Sequence, residues 1–204
     1  MTIEYPKRRD ANGTHVSDAH VPFLWDKIDE VVGALNGRVA ASGGFIDYND
    51  ASTASVPINL SGQAWTDLPN DGLGAFTNTA YAPPGVTSLM DNSTGYIDPT
   101  QLKLGDTMLI RNDYTITPNI NNTALEFRYV LGTGAGEYTL SNVSRRLDLG
   151  AGIGYRIASG VDLIYMGDTN TRDNPIKLQV RLSNGGTLTV AGSVIQVIQG
   201  GGSQ

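Results

Sequence analysis

Hydrophobic residues follow two different periods along this chain. Val21, Leu24, Ile28, Val31 and Leu35 recur at spacings of three, four, three and four, which gathers them on one face of a helix. Pro22 suits a first helical position, where no intrahelical bond needs its missing N–H. Asp26, Asp29 and Glu30 fall in the early turns, near the positive end of the helix dipole. Gly37 is placed to end the helix in the left-handed conformation. The spacing therefore predicts a helix from about Pro22 to Asn36, with Trp25 and Val32 widening its apolar stripe. A helix of about fifteen residues is marginal alone, so its face must pack on something. Either the β domain of its own subunit or the same helix of sister subunits would serve. Its two heptads fall short of the roughly three or four that establish a coiled coil.

Past the small-residue run Ala40–Gly44 (AASGG) the period falls to two. In Ala124–Leu131, Leu125, Phe127, Tyr129 and Leu131 alternate with Glu126 and Arg128, the signature of a half-buried antiparallel strand. Ile176, Leu178, Val180 and Leu182 alternate in the same way with Lys177, Gln179 and Arg181. Strands are predicted at Ser55–Leu60, Gly85–Leu89, Asp106–Ile116, Ala124–Leu131, Gly136–Leu140, Tyr155–Ala158, Asp162–Met166, Pro175–Leu182 and Gly186–Gln199. Ser183-Asn184-Gly185-Gly186 reads as a hairpin turn of type I′, and Gly192 as a bulge in the last strand. The glycine-rich runs Gly132–Gly136 and Gly150–Gly154 read as flexible hairpin connections. About eight or nine strands separated by turns give an all-β antiparallel sandwich, and the need to protect sheet edges favours a jelly roll or closure by neighbouring subunits. The expected organisation is an extended anchoring arm at 1–20, an amphipathic helix at 21–37, a hinge at 38–45, the jelly-roll domain at 46–199 and a mobile tail at 200–204.

The 204 residues suffice for one full-sized domain with an appendage. Only 17% of residues are charged against 40% hydrophobic, so the surface is polar through amides and hydroxyls more than through charge. Residues 1–45 hold six acids and five bases, and residues 46–204 hold fourteen acids and nine bases. Neither segment is basic, which argues against a nucleic-acid partner. Lys7, Arg8 and Arg9 form the one basic cluster, either a solvated arm or a grip on an acidic partner surface. No apolar run has the length of a signal peptide or a membrane span, which predicts a chain made in the cytoplasm without membrane insertion.

Candidate chemistry is sparse. The chain has no cysteine, which removes disulfides, thiolate metal sites and cysteine nucleophiles. Its two histidines, His15 and His20, lie in the arm, so a Ser-His-Asp or His-ligated metal site inside the β domain is excluded. A carboxylate pair remains open in principle, with Glu126 and Glu137 as candidates, but no spacing assigns an acid and a base. Asp168–Asp173 begins like a calcium loop and then departs from it, since Arg172 takes a ligand position and no terminal Glu follows. Side-chain-to-backbone turns before Pro175 explain that segment better. Gly132–Gly136 lacks the helix and lysine of a phosphate cradle. Tyr81, Tyr96 and Tyr114 are scattered and form no visible cluster. Neither a cofactor nor a metal is expected, and the chain reads as non-enzymatic.

The run YMGDTNTRDNPIKLQVRLSNGGTLTVAGSVIQVI (Tyr165–Ile198), with LEFRYVLGTGAGEYTL upstream (Leu125–Leu140), resembles domains of tailed-bacteriophage virion proteins. These are trimeric jelly-roll knobs similar to tumour-necrosis-factor-like domains. The resemblance runs from about Phe45 onward and lies in strand pattern, with no diagnostic ligand motif. It implies a structural virion protein, a homotrimer found in the virion. Such knobs serve as capsid decoration or cement proteins, or as head or tail fibre knobs that bind host-surface receptors or glycans. The short front end favours decoration, with Lys7, Arg8 and Arg9 as capsid contacts to a major capsid protein or another virion protein. Val21, Leu24, Ile28, Val31 and Leu35 are then helix-packing residues. On the fibre alternative, loops such as Asp168–Asn174 would meet a host glycan.

Overall fold

The computed structural model describes residues 27–33, 43–158 and 161–200, with only the backbone at 142–144. By its contacts the chain divides into Met1–Ser42 and Gly43–Gln204. In the first unit residues 27–33 are helical, and Lys27 pairs with Glu30 at 2.6 Å on the helix surface. The other ends of the expected helix, the arm at 1–20 and the tail beyond Gly200 lie outside the described residues.

The second unit is an antiparallel sandwich. Its strands are β1 (Gly44–Asn49), β2 (Ile58–Leu60), β3 (Thr66–Asp67), β4 (Met90–Asp91), β5 (Tyr96–Ile97), β6 (Thr107–Pro118), β7 (Thr123–Leu131), β8 (Tyr138–Leu147), β9 (Tyr155–Ala158), β10 (Asp162–Tyr165), β11 (Lys177–Leu182) and β12 (Gly186–Ile198). Sheet A runs β1-β12-β6-β10, with β2 extending the β1 edge along β12 and β9 extending the β10 edge along β6; sheet B runs β3-β11-β7-β8. β4 and β5 form a separate small hairpin. The two sheets thus hold four strand positions each, with first and last strands paired and the chain passing between sheets from β6 to β7, β8 to β9, β10 to β11 and β11 to β12. That is jelly-roll topology. The inner faces meet through the alternating residues the sequence pattern singles out: Leu125, Phe127, Tyr129 and Leu131 from β7, and Ile176, Leu178, Val180 and Leu182 along β11 and the residue before it, are all buried.

Several expectations need correction. Ser183–Gly186 is not a hairpin turn. It carries the chain from β11 in sheet B to β12 in sheet A, because β11 is already flanked by β3 and β7. Gly185 has a positive φ of 76° but Asn184 does not, so type I′ geometry is absent. Gly150–Gly154 likewise crosses between sheets, from β8 to β9, whereas Gly132–Gly136 does join the paired strands β7 and β8. Gly85–Leu89 is no strand. Its donors turn inward: Val86 N bonds Pro83 O, and Thr87 N bonds the Gln101 side chain at 2.6 Å. The strand expected at Ser55–Leu60 shortens to β2, and α1 (Ser52–Ser55) precedes it. The one expected from Gly136 begins at Tyr138 and continues to Leu147. The bulge at Gly192 is present, with the β6–β12 register shifting between Val190 and Gly192.

At that bulge the edge of sheet A is broken between β1 and β2, and α1 fills the gap. Thr53 Oγ1 accepts from Val190 N at 2.8 Å and donates to the buried Asp50 carboxylate at 2.5 Å, so a side chain satisfies a ladder donor that no strand reaches. A polar chain also crosses the core. Asn70 Nδ2 donates to Ser193 Oγ at 3.2 Å, and Ser193 Oγ to Asn112 Oδ1 at 2.7 Å. Asn112 Nδ2 then donates to the Tyr129 hydroxyl at 2.7 Å, which reaches Asp162 Oδ2 on β10 at 3.2 Å. Buried polar groups persist only when paired in this way. Burial raises the Asp162 carboxyl above its ordinary value, and the Tyr129 bond only partly offsets that.

Replacing Thr53 by the isosteric Val strips Val190 of its partner and should lower unfolding stability by about 1–3 kcal/mol, read from denaturant midpoints; an unchanged midpoint would contradict the role given to Thr53. Because the folded-state pKa of Asp162 is raised, the native state binds the proton more tightly than the unfolded chain. Its contribution is favourable below 3.8 and is lost as pH rises through the folded value. Asp162→Asn should remove that loss, so that the stability difference between variant and wild type grows with rising pH across this window. A pH-independent difference would count against it.

Candidate functional site

The sandwich has two outer faces of opposite character. On sheet B the outward side chains neutralise one another. Arg181 pairs with Glu126 across β11 and β7, its Nε 2.6 Å from the carboxylate. Arg128 donates to Gln179 at 2.8 Å, and Gln179 to Asp67 at 2.7 Å. The guanidinium groups of Arg128 and Arg181 lie 4.1 and 4.8 Å from the Trp65 ring. Tyr96 donates to Asp67 at 2.6 Å; that bond, aided by burial and the carboxylate charge, holds its hydroxyl pKa up to about 12. Lys177 sits over the same ring. Such a face needs no further partner.

Sheet A is different. Its register sets Leu163 beside Leu109, Leu109 beside Gln196, and Gln196 beside Phe45. The next row sets Tyr165 beside Thr107 and Thr107 beside Ile198. Opposed residues share a face, so these apolar side chains form one outward surface. Leu163 is 61% exposed and Tyr165 55%. Tyr81, from the long loop before β4, stacks on Phe45 with ring centroids 5.1 Å apart and extends the surface. A solvated antiparallel face carries polar residues, and a contiguous exposed apolar one marks an interaction site. The signal was present in the sequence: in Asp162–Met166, Leu163 and Tyr165 are apolar in one parity and Ile164 and Met166 in the other, as in a strand covered on both sides.

Farther along β6 the same face holds an open groove of about 500 Å³ whose lining includes Asp113, Thr115, Arg156, Ala158 and Ala191. β9 pairs with β6 there, Ala158 beside Asp113 and Arg156 beside Thr115, and Ala191 is the extra residue of the bulge. Small outward residues make the depression. Arg111 is held by Asp113 at 3.0 Å, while Arg156 makes no ion pair among the described residues.

The expected site residues are placed as follows. Lys7, Arg8, Arg9, Val21, Leu24 and Leu35 lie outside the described residues, as do His15 and His20. Ile28 is half-buried and Val31 exposed on helical residues 27–33. Glu126 and Glu137 are not brought together. Glu137 follows the β7–β8 turn, six residues beyond the position of Glu126, roughly 20 Å along a strand and too far for a two-carboxylate mechanism. Asp168–Asn174 is internally satisfied: Asp168 caps α2 (Thr169–Arg172) through Thr171 N, Arg172 pairs with Asp173, and Asn174 bonds Asn170 O. No group of metal-ligating side chains occurs among the described residues, nor is any helix there long and apolar enough to cross a membrane.

No protein-family model matches the chain, and neither does any curated protein sequence. Solved structures of similar fold include Eiger TNF from S. frugiperda, at 12% identity and a TM-score of 0.42, covering 79% of this chain and 94% of that one. The infectious bursal disease virus Gx strain structure gives 14% identity and a TM-score of 0.38, covering 78% of this chain and 32% of its own. The VP2 subviral particle of that virus gives 14% and 0.30, covering 79% and 32%. The chain therefore spans about a third of the length of those virus proteins.

Proposed function

We propose that this chain is a structural virion protein, a homotrimer that decorates and cements a capsid surface. One observation carries the self-association: sheet B presents a neutralised polar surface while sheet A presents Leu163, Tyr165, Ile198 and the Phe45–Tyr81 stack to solvent around the half-buried Leu109. A monomer would leave that second surface wet, whereas copies of the chain would cover it. The capsid role draws support from the strand-pattern resemblance and from the arm with Lys7, Arg8 and Arg9, which suits an acidic partner such as a major capsid protein. Arms from one trimer act at high effective concentration once the first has bound. A ligand that binds only the assembled shell stabilises it by mass action, by about 2.7 kcal/mol at a free concentration a hundredfold above Kd. No catalytic step, cofactor or metal enters this function.

Leu163→Glu and Tyr165→Glu should each raise the dissociation constant of the oligomer by at least about tenfold, equivalent to about 1.4 kcal/mol, without changing the circular dichroism of the fold; sedimentation velocity reads the change. Oligomers of unaltered mass and affinity would show that the apolar face is not the contact. Deleting residues 1–20 should leave a folded trimer that no longer cosediments with capsids, and full-strength capsid binding by that deletion would sink the anchoring role.

A further inference from the structure

A second exposed apolar feature lies at the free end of β1, on the β1 side of the groove. Residues 72–77 carry Leu73, 65% exposed, and Phe76, 82% exposed. Exposed side chains of this size usually sit on mobile loops, but this loop is fastened to the end of β1. Gly72 N bonds Asn70 Oδ1, Leu73 N bonds Asp71 Oδ1, and Gly74 N bonds Asn49 O at 2.7 Å. Phe76 N reaches Asn49 Oδ1, and Thr77 Oγ1 donates to Gly72 O at 2.8 Å. Asp71 in turn accepts from Ala51 N and Ser52 N of the α1 segment. Burial alone would raise the Asp71 carboxyl, but the N–H groups of Leu73, Ala51 and Ser52 outweigh it and hold the pKa below the ordinary value. A Cβ at Gly74 would stand 2.0 Å from Asn49 Oδ1, so the loop approaches β1 more closely than any other residue permits. Two apolar side chains are held out on a preformed support, which is the arrangement of a binding anchor.

The groove between β9 and the β12 bulge is suited to receive it. Asn49 is register partner to Gly192, Gly192 to Asp113, and Asp113 to Ala158. The root of the loop therefore abuts the near wall of the groove, where Asn49 Nδ2 donates to Ala191 O at 2.8 Å, and Ala158 stands at the far end of the same row. The groove is floored by small residues and bordered by Arg156, a guanidinium with no ion pair among the described residues. A guanidinium over an aromatic ring is an attractive pair, and this chain already builds one twice at Trp65. The loop itself carries no charge, so it brings nothing that Arg156 or the Arg111–Asp113 pair would repel.

We infer that residues 72–77 of one copy seat in the β9–β12 groove of the next, with Phe76 against Arg156 and Ala158. The inference rests on the self-association proposed above and specifies its contact. Because the two surfaces are different patches of the same chain, the contact is heterologous, and three copies related by a rotation that closes form the ring that the proposed homotrimer requires. Two-fold pairing would require one patch to meet itself.

The test uses two full-length variants, Phe76→Ala to remove the anchor and Ala158→Trp to fill the groove, with Arg156→Ala as a milder groove variant. All three positions are exposed, and circular dichroism checks the fold. Sedimentation velocity is run on wild type, on each variant and on the Phe76→Ala/Ala158→Trp mixture. Wild type should be a closed oligomer. Each variant alone should dissociate, with a constant raised at least about tenfold and less for Arg156→Ala. The mixture should recover a two-chain species, since the intact loop of the Ala158→Trp chain meets the intact groove of the Phe76→Ala chain. An oligomeric wild type whose variants keep its mass, or a mixture that recovers nothing, overturns the loop-in-groove contact and leaves self-association standing. A monomeric wild type overturns both.

Discussion

β6 and β12 pair from Gly186 with Pro118 to Ile198 with Thr107, and the rest of the sandwich is arranged around that central ladder. Each of the two strands is longer than its neighbour on the other side in sheet A, so each takes two shorter ones in succession: β1 then β2 beside β12, and β10 then β9 beside β6. The register shift at Ala191 falls where β1 gives way to β2, and β9 gives way to β10 just beyond it along β6, at Arg111 and Asn112. A ladder that long leaves backbone donors uncovered at the junctions, and unpaired buried donors are costly. Thr53 answers the one at Val190. The groove at Ala158 and Ala191 lies at the other junction. The features of sheet A that invite a partner thus descend from the same mismatch of strand lengths.

The two outer faces show how an antiparallel sheet states its surroundings. Sheet B solves its own electrostatics through Arg181–Glu126, Arg128–Gln179–Asp67 and the cations over Trp65 and Tyr96. Individually such half-exposed pairs contribute little, yet together they leave no outward group on the central strands seeking a partner. Sheet A carries Leu163, Tyr165 and Phe45 where such groups would stand. The contrast within one sandwich is more informative than either face alone, since both sheets share solvent, composition and overall charge.

Much of the fold was legible from period-two alternation. The strands at Ala124–Leu131, Tyr155–Ala158 and along β11 follow directly from it, and the bulge was marked by Gly192 inside a strand pattern. What failed was everything decided by long-range neighbours. Asn184-Gly185 carries a strong local turn signal, but β11 already had both its partners, so the chain had to leave for the other sheet. Val86 and Leu89 are apolar because they fill the core from a loop, not because they belong to a strand. Thr53 and Asp50 gave no sequence signal, because their value depends on a ladder gap that only the assembled sheet creates. The candidate site was half visible: the two-sided apolar run at Leu163–Tyr165 could be read, whereas Phe45 and Tyr81, thirty-six residues apart in sequence, become a pair only through the fold.

Hydroxyl-radical footprinting of the full chain across a dilution series tests most directly whether the outer face of sheet A is covered by other copies. Oxidation of Phe45, Tyr81, Leu163 and Tyr165 should slow as protein concentration rises, while that of Trp65 and Tyr96 on sheet B stays constant. Equal oxidation of the sheet A residues at every concentration, or protection confined to sheet B, would contradict the reading.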